Sequence, residues 1–237
     1  MIVAFEKKER VRHIGHLDIQ RAVQRALRRS GVPIRYTEGF HPHAVLSFAS
    51  PLPVGVSGAF ELMEFALAAE CDPGEIVVRM RNAMPPSLPV FDGKAVLDSH
   101  PKLAAMLKMA DYRATFDDSH GARQMADQKT IEAFMGQEKI FAQRKTKSGE
   151  TLCDIRPMIF KLHADMDDQT GGEHAEINLK TVTFDFRVSL TEKETLKPDL
   201  LLQTLAKHAG VPLPAYRLHR LRLLTERNGR PVNLMER

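Results

Sequence analysis

Apolar residues follow two periods along this chain, and the changes of period mark its elements. Ile2 to Phe5 is a short unbroken apolar run, the pattern of a buried strand. After Gly15 the period lengthens: Ile19, Ala22, Val23, Ala26 and Leu27 recur at i, i+3, i+4, i+7 and i+8, one buried stripe of a helix. Arg21, Arg25 and Arg28 share another face of that helix. Gly31 stands where a left-handed residue ends a helix, and Pro33 prevents continuation. Residues 34–37 and 44–48 read as strands around a turn at Gly39 to His43, and Leu62 to Leu67 as another strand. Asp72-Pro73-Gly74-Glu75 predicts a second helix, with an aspartate cap, a proline at the first helical position and a glutamate three residues past the cap. Ile76, Val77 and Met80 supply its apolar side, and Val90 to Leu97 returns as a strand.

The rest of the chain repeats that order in pattern, though not in residue identity. Tyr112 to Phe116 reads as a strand, Lys129 to Phe134 as a short helix, and Lys139 to Gln143 with Thr151 to Ile155 as a hairpin around Ser148-Gly149. Asp165 to Gly172 is a polar loop, after which Val182, Phe184, Phe186, Val188 and Leu190 alternate strictly, as in a half-buried strand. Pro198 opens a helix carrying Leu201, Leu202 and Leu205, Gly210 closes it, and residues 216–225 form a last, arginine-rich strand. The expectation is an α+β protein of two tandem ferredoxin-like βαββαβ halves with antiparallel sheets, residues 1–100 and 101–237, joined near Asp98 to Lys102.

With 237 residues, 43% of them hydrophobic, the chain can bury a substantial core, so disorder is not expected. No apolar run approaches the eighteen or so residues that span a bilayer, and Met1 to Glu6 lacks a basic region leading into an apolar stretch; a cytoplasmic protein is expected. The two cysteines, Cys71 and Cys153, form no CxxC pair and read as reduced thiols. No cofactor is expected in this chain, because an iron–sulfur cluster takes several clustered thiolates.

The net charge of +4 is unevenly spread. Residues 1–35 hold nine Lys or Arg against three Asp or Glu, and residues 213–237 hold six against two, while the remainder carries 19 against 25. If folding joins the two ends, they make either a basic face for phosphates or an acidic partner, or a merely solvated surface.

Candidate chemistry gathers early. Asp18, three residues after Gly15, can bond back to the free amides of the helix start, and His16 lies in the first turn, where free N–H groups favour anions. With Arg21 and Arg25, His16 forms a candidate phosphate site. His41 and His43 flank Pro42 on one side of an extended segment, and with His13 and His16 they make four imidazoles in about thirty residues, though in no standard zinc pattern. Arg144, Lys145 and Lys147 form a basic hairpin tip, followed by Asp154 and Arg156; Arg217, His219, Arg220 and Arg222 crowd the last strand. The candidate phosphate-contacting set is therefore His16, Arg21, Arg25, His43, Lys145, Lys147, Asp154, Arg156, His219 and Arg220, with no metal ligands assigned. The chain is only 6% aromatic and has no Trp, so RNA contacts would rest on phosphates more than on bases. GxGxxG, Walker A, HExxH and GxSxG are all missing from the sequence. A His16–His43 pair remains a candidate for acid–base chemistry on a ribose hydroxyl and leaving oxygen.

His16-Leu17-Asp18 before an arginine-rich helix, Gly39-Phe40-His41-Pro42-His43 running to Ser47-Phe48, and Pro51-Leu52-Pro53-Val54-Gly55 resemble a bacterial family of uncharacterised radical-SAM-linked proteins. Arg144-Lys145-Thr146-Lys147-Ser148-Gly149, Asp154-Ile155-Arg156-Pro157, Leu196-Lys197-Pro198 and Arg217-Leu218-His219-Arg220 carry the resemblance through the second half. The family usually has serine where Gly15 stands and often asparagine where His41 stands, which weakens a role for His41 and leaves His16 and His43 as candidates. The resemblance implies a working partner, a radical SAM protein encoded nearby or fused, that supplies the iron–sulfur cluster and S-adenosylmethionine. The expected function is a non-catalytic accessory module presenting a phosphate-bearing substrate such as RNA on a basic face. The alternatives are a metal-independent endoribonuclease resembling the CRISPR repeat-processing enzymes, by fold-level analogy, and a pure protein–protein adaptor.

Overall fold

The computed structural model describes residues 1–146, 149–167 and 180–236. Its elements begin with β1 (Ile2–Lys7), α1 (His16–Ser30), β2 (Leu46–Phe48), β3 (Val56–Phe65), α2 (Pro73–Ala83), β4 (Val90–Lys94) and α3 (Leu103–Met106). They continue with β5 (Met109–Asp117), α4 (His120–Ala126), α5 (Gln128–Met135), β6 (Phe141–Thr146), β7 (Gly149–Asp154), β8 (Ile159–Asp167), β9 (Thr181–Ser189), α6 (Pro198–His208), β10 (Tyr216–Arg227) and β11 (Arg230–Asn233). The protein is α+β and its strands are mostly antiparallel. Two compact units form, Met1–Lys108 together with His219–Arg237, and Met109–Leu218. No helix among the described residues is long and apolar enough to cross a membrane.

In the first unit β1 is flanked by β3 and β4, both antiparallel to it. β2 pairs with the end of β3, Leu46 opposite Phe65 and Phe48 opposite Met63, while β10 also borders β3 and carries β11 as a hairpin partner. Alternation turns Val3, Phe5, Met63 and Phe65 to one side, where they join Ile19, Val23, Leu27, Ile76 and Met80 of the helices in one core. Each such side chain, fully buried, is worth roughly 1.5–3 kcal/mol. α1 ends as the sequence predicts, with Gly31 at φ +67°, and Asp72 caps α2 by accepting from the Glu75 amide at 2.8 Å.

In the second unit β9 pairs with β5 and with β8. Ala110, Tyr112, Ala114 and Phe116 are buried on one face of β5, and Val182, Phe184, Phe186 and Val188 on the matching face of β9. On the other face Asp111 lies opposite Arg187 and Arg113 opposite Asp185, two cross-strand ion pairs with N–O contacts between 2.6 and 2.9 Å. β6 and β7 form the expected hairpin. At the start of β10, the Tyr216 ring lies 5.2 Å from Phe116 and its hydroxyl donates to Asp199. Burial is the main reason that the Tyr216 hydroxyl is held well above its ordinary pKa, and Asp199 adds to it.

Several expectations are corrected. Residues 34–37 form bridges rather than a strand, Ile34 to Leu67 and Tyr36 to Ala44, because Arg35, Val45 and Ala66 bond to one another in a triangle that turns this segment into a separate hairpin. The polar loop expected from Asp165 begins inside β8, whose residues through Asp167 pair with β9; residues 168–172 lie outside the described residues. α4, capped by Ser119, and the short α3 and β11 have no apolar period long enough to announce them.

Candidate functional site

The cationic face of α1 follows from its sequence period. Burying Ile19, Val23, Ala26 and Leu27 forces Leu17, Asp18, Arg21, Arg25 and Arg28 into solvent. Arg21, Arg25 and Arg28 lie at i, i+4 and i+7, a row spanning about 10 Å at 1.5 Å per residue. Arg21 makes an exposed ion pair of 3.0 Å with Asp18, the kind worth little in water. Arg25 and Arg28 have no ion pair or side-chain hydrogen bond among the described residues. Arg29, by contrast, donates to the Ala83 carbonyl at 2.7 Å and ties α1 to the end of α2. Asp18 does not cap the helix as expected: its carboxylate turns along the helix to Arg21, and the cap position belongs to Gly15, without a side-chain acceptor.

The unit that carries α1 is the basic one. The first unit holds 19 Lys or Arg against 13 Asp or Glu, a net of +6, whereas the second holds 15 against 17, a net of −2. Both basic ends of the chain, up to Arg35 and from His219, thus belong to one unit.

Two buried cations fix the loops beside the start of α1. Phe5 faces Glu61 but Lys7 faces Gly58, so β3 carries an extra residue there, a β-bulge. Lys7, fully enclosed, donates Nζ to the carbonyls of Arg12 at 2.9 Å and Ile14 at 3.2 Å, holding the β1–α1 loop. Burial pulls the Lys7 pKa below its ordinary value; Glu61 opposes that and Arg220 adds to it. Arg220, 1% exposed, binds Glu61 at two points and donates to the hydroxyl and carbonyl of Ser50, holding the β2–β3 loop. The loops are also joined directly, Gly55 N–H to Arg12 carbonyl at 2.9 Å. Gly58 is required here, since a Cβ would strike the Glu61 carboxylate and lie 2.9 Å from Leu52 Cδ1. Nearby, buried Ser57 donates to Glu9 at 2.7 Å and sits 2.8 Å from His219 Nδ1. A hydroxyl has one proton, so its donation to Glu9 leaves Ser57 to accept from Nδ1–H, which sets the His219 tautomer.

Arg220 is enclosed and spends its guanidinium on Glu61 and Ser50, since an enclosed guanidinium stays with its carboxylate, while half-buried His219 turns Nδ1 to Ser57. Asp154 and Arg156, both half-buried, also have backbone partners in the second unit. Asp154 accepts from the amides of Ile140 and Arg156, and the Arg156 guanidinium donates to the carbonyls of Met135 and Ile159, which caps the end of α5 and locks the turn after β7. The Lys145 backbone pairs opposite Glu150, and Lys147 lies outside the described residues.

No hydrogen bond or ring contact joins His16 and His43 among the described residues. The His16 ring packs edge-on against Phe48 at 5.0 Å, and burial lowers its pKa. The His43 ring is turned to Thr37 Oγ1 and the His41 carbonyl, both at 3.2 Å. Five residues of extended chain, about 16 Å, separate His43 from Phe48. Among the described residues no group of three or more His, Cys, Asp or Glu could hold a metal ion.

Sequence reasoning missed Lys7, Glu61, Ser57 and Glu9. Lys7 and Glu61 lie in strands that are mostly apolar, but Glu6 and Glu64 share those strands, so position in the sequence did not single them out; Ser57 and Glu9 had no signal.

Comparison with the curated proteins finds no match. The model of a family described as an uncharacterised protein conserved in bacteria (DUF2344) matches residues 1–198. Spanning most of the chain and the whole of the α1 face, that match shows that this protein belongs to the DUF2344 family.

Proposed function

We propose that the protein is a non-catalytic accessory module that holds a phosphate-bearing substrate, RNA, on the outward face of α1. The observation that carries this reading is the row Arg21, Arg25 and Arg28, in which two guanidiniums stand in water without an acidic partner among the described residues. Guanidiniums that make no internal bond remain available for bidentate contact with phosphate oxygens. His16 stands at the N-terminal end of the same helix.

In this reading the working partner is a radical SAM enzyme, which brings its own iron–sulfur cluster and S-adenosylmethionine; the sequence resemblance supports that assignment. We also read each unit as ferredoxin-like. Support comes from the order β4-β1-β3-β2 with α1 and α2 as crossovers in the first unit, and from β5-β9-β8 with α6 in the second.

The test is a filter-binding titration of the full chain with single-stranded RNA from low to high salt. Phosphate contacts predict a log–log slope of about −0.7 per contact on a single strand. Absence of binding at low salt, or binding without a salt slope, overturns the reading; stable copurification with the radical SAM protein after nuclease treatment, without RNA binding, points to an adaptor instead.

A further inference from the structure

The hairpin of residues 35–45 ends in a ring that touches nothing. Its base is fixed by a triangle of backbone bonds, Arg35 N–H to the Ala66 carbonyl, Ala66 N–H to the Val45 carbonyl and Val45 N–H to the Arg35 carbonyl, at 2.9 to 3.0 Å. Higher up, Thr37 N–H donates to the His43 carbonyl at 2.9 Å and His43 N–H to Thr37 Oγ1 at 3.1 Å. Gly39 turns the chain at φ +116°, a conformation that side chains rarely adopt. The tip so built carries Phe40, as exposed as in an open peptide, with Tyr36, His41 and His43 also in solvent.

We infer that this hairpin is a base-stacking finger, in which Phe40 takes an unpaired nucleobase of single-stranded RNA. The inference rests on the RNA reading above and names the form of RNA that is bound. Four planar rings fall within eight residues, and rings of Phe, Tyr and His are the platforms on which splayed bases stack. The chemistry around Phe40 separates this from a protein-docking anchor. Such anchors sit within an apolar patch that excludes water, whereas the chain neighbours of Phe40 are Glu38, Gly39, His41 and Pro42. A ring standing clear on a braced stalk leaves its faces open to flat partners, and the residues beside it in the chain offer little aliphatic area to a pocket. In this reading base stacking joins the phosphate contacts expected to dominate: aromatic residues are few in the sequence, but the hairpin concentrates four rings.

The absence of tryptophan from the sequence gives a direct probe, since Phe40→Trp introduces the only one in the chain. Titrating single-stranded RNA into this variant should quench its emission, an equimolar duplex of the same sequence should not, and affinity should equal or exceed that of the wild type. Phe40→Leu, which keeps an apolar side chain but no π face, should weaken single-strand binding roughly tenfold, as Phe40→Ala does. Emission that ignores saturating RNA, or Phe40→Leu binding as tightly as wild type, overturns the finger while leaving the α1 phosphate contacts standing. A spectral shift produced by a radical SAM protein and not by RNA also overturns it, in favour of a protein contact. Wild-type protein that binds no RNA sinks both readings together.

Discussion

Arg220 of β10 and Glu61 of β3 form a two-point ion pair across 159 residues of sequence, and neither side chain reaches solvent. The pair ties β10 to the bulged part of β3, and through Ser50 it sets the loop that leads into β3. Breaking a buried pair by removing one partner costs about 3–5 kcal/mol, because an uncompensated charge is left in low dielectric. Glu61→Gln should be worse than Arg220→Met, since Glu61 also offsets the buried Lys7. Urea denaturation of both variants checks this; equal and small losses would contradict it.

The bulge makes a second, independent demand. Gly58→Ala places a methyl group against the Glu61 carboxylate and Leu52, and relieving the overlap should cost about 1–3 kcal/mol. In the Glu61→Ala background the part due to the carboxylate should vanish, leaving only the Leu52 overlap. A double-mutant cycle with no coupling would show that Gly58 is needed for the backbone alone.

His16 gives a pH dependence with a definite sign. Burial against Phe48 holds its folded pKa below the unfolded value of about 6.5, so the unfolded chain takes up the proton first. Its contribution to stability is complete above that value and declines as pH falls through it toward the lower folded pKa. Thermal melts between pH 7.5 and pH 5 should therefore fall less steeply in His16→Asn than in the wild type, and identical slopes would contradict the burial.

Much of the scaffold was legible because its elements have apolar periods of their own. α1 and α2 follow from stripes and caps, and β9 from its alternation, since each buries one face along its whole length. The cationic row on α1 was legible for the same reason: once Ile19, Val23 and Leu27 point inward, Arg21, Arg25 and Arg28 must point out. What was illegible depends on partners distant in sequence. Nothing near Arg220 reveals Glu61, so a strand with four basic or titratable groups read as a surface when one of them is a core residue. Asp154 and Arg156 likewise spend their charge on backbone groups of Ile140, Met135 and Ile159, contacts that local spacing does not encode. Phe40 read as part of a motif, and only the triangle at the hairpin base leaves it standing clear.

The Asp154 bonds give a contrast between structural and binding roles. Asp154→Ala should destabilise the second unit by about 1–3 kcal/mol, through the stranded Ile140 and Arg156 amides, and leave RNA affinity per folded molecule unchanged. A large loss of affinity with no loss of stability would return this residue to the binding surface.

The most direct test of the α1 face is the salt dependence of RNA binding by Arg25→Ala/Arg28→Ala, both side chains being exposed and without internal partners among the described residues. The double variant should keep wild-type stability, and its log–log slope against salt should be shallower by about 1.4, two single-strand phosphate contacts. An unchanged slope and unchanged affinity would contradict the claim that this helix holds the substrate's phosphates.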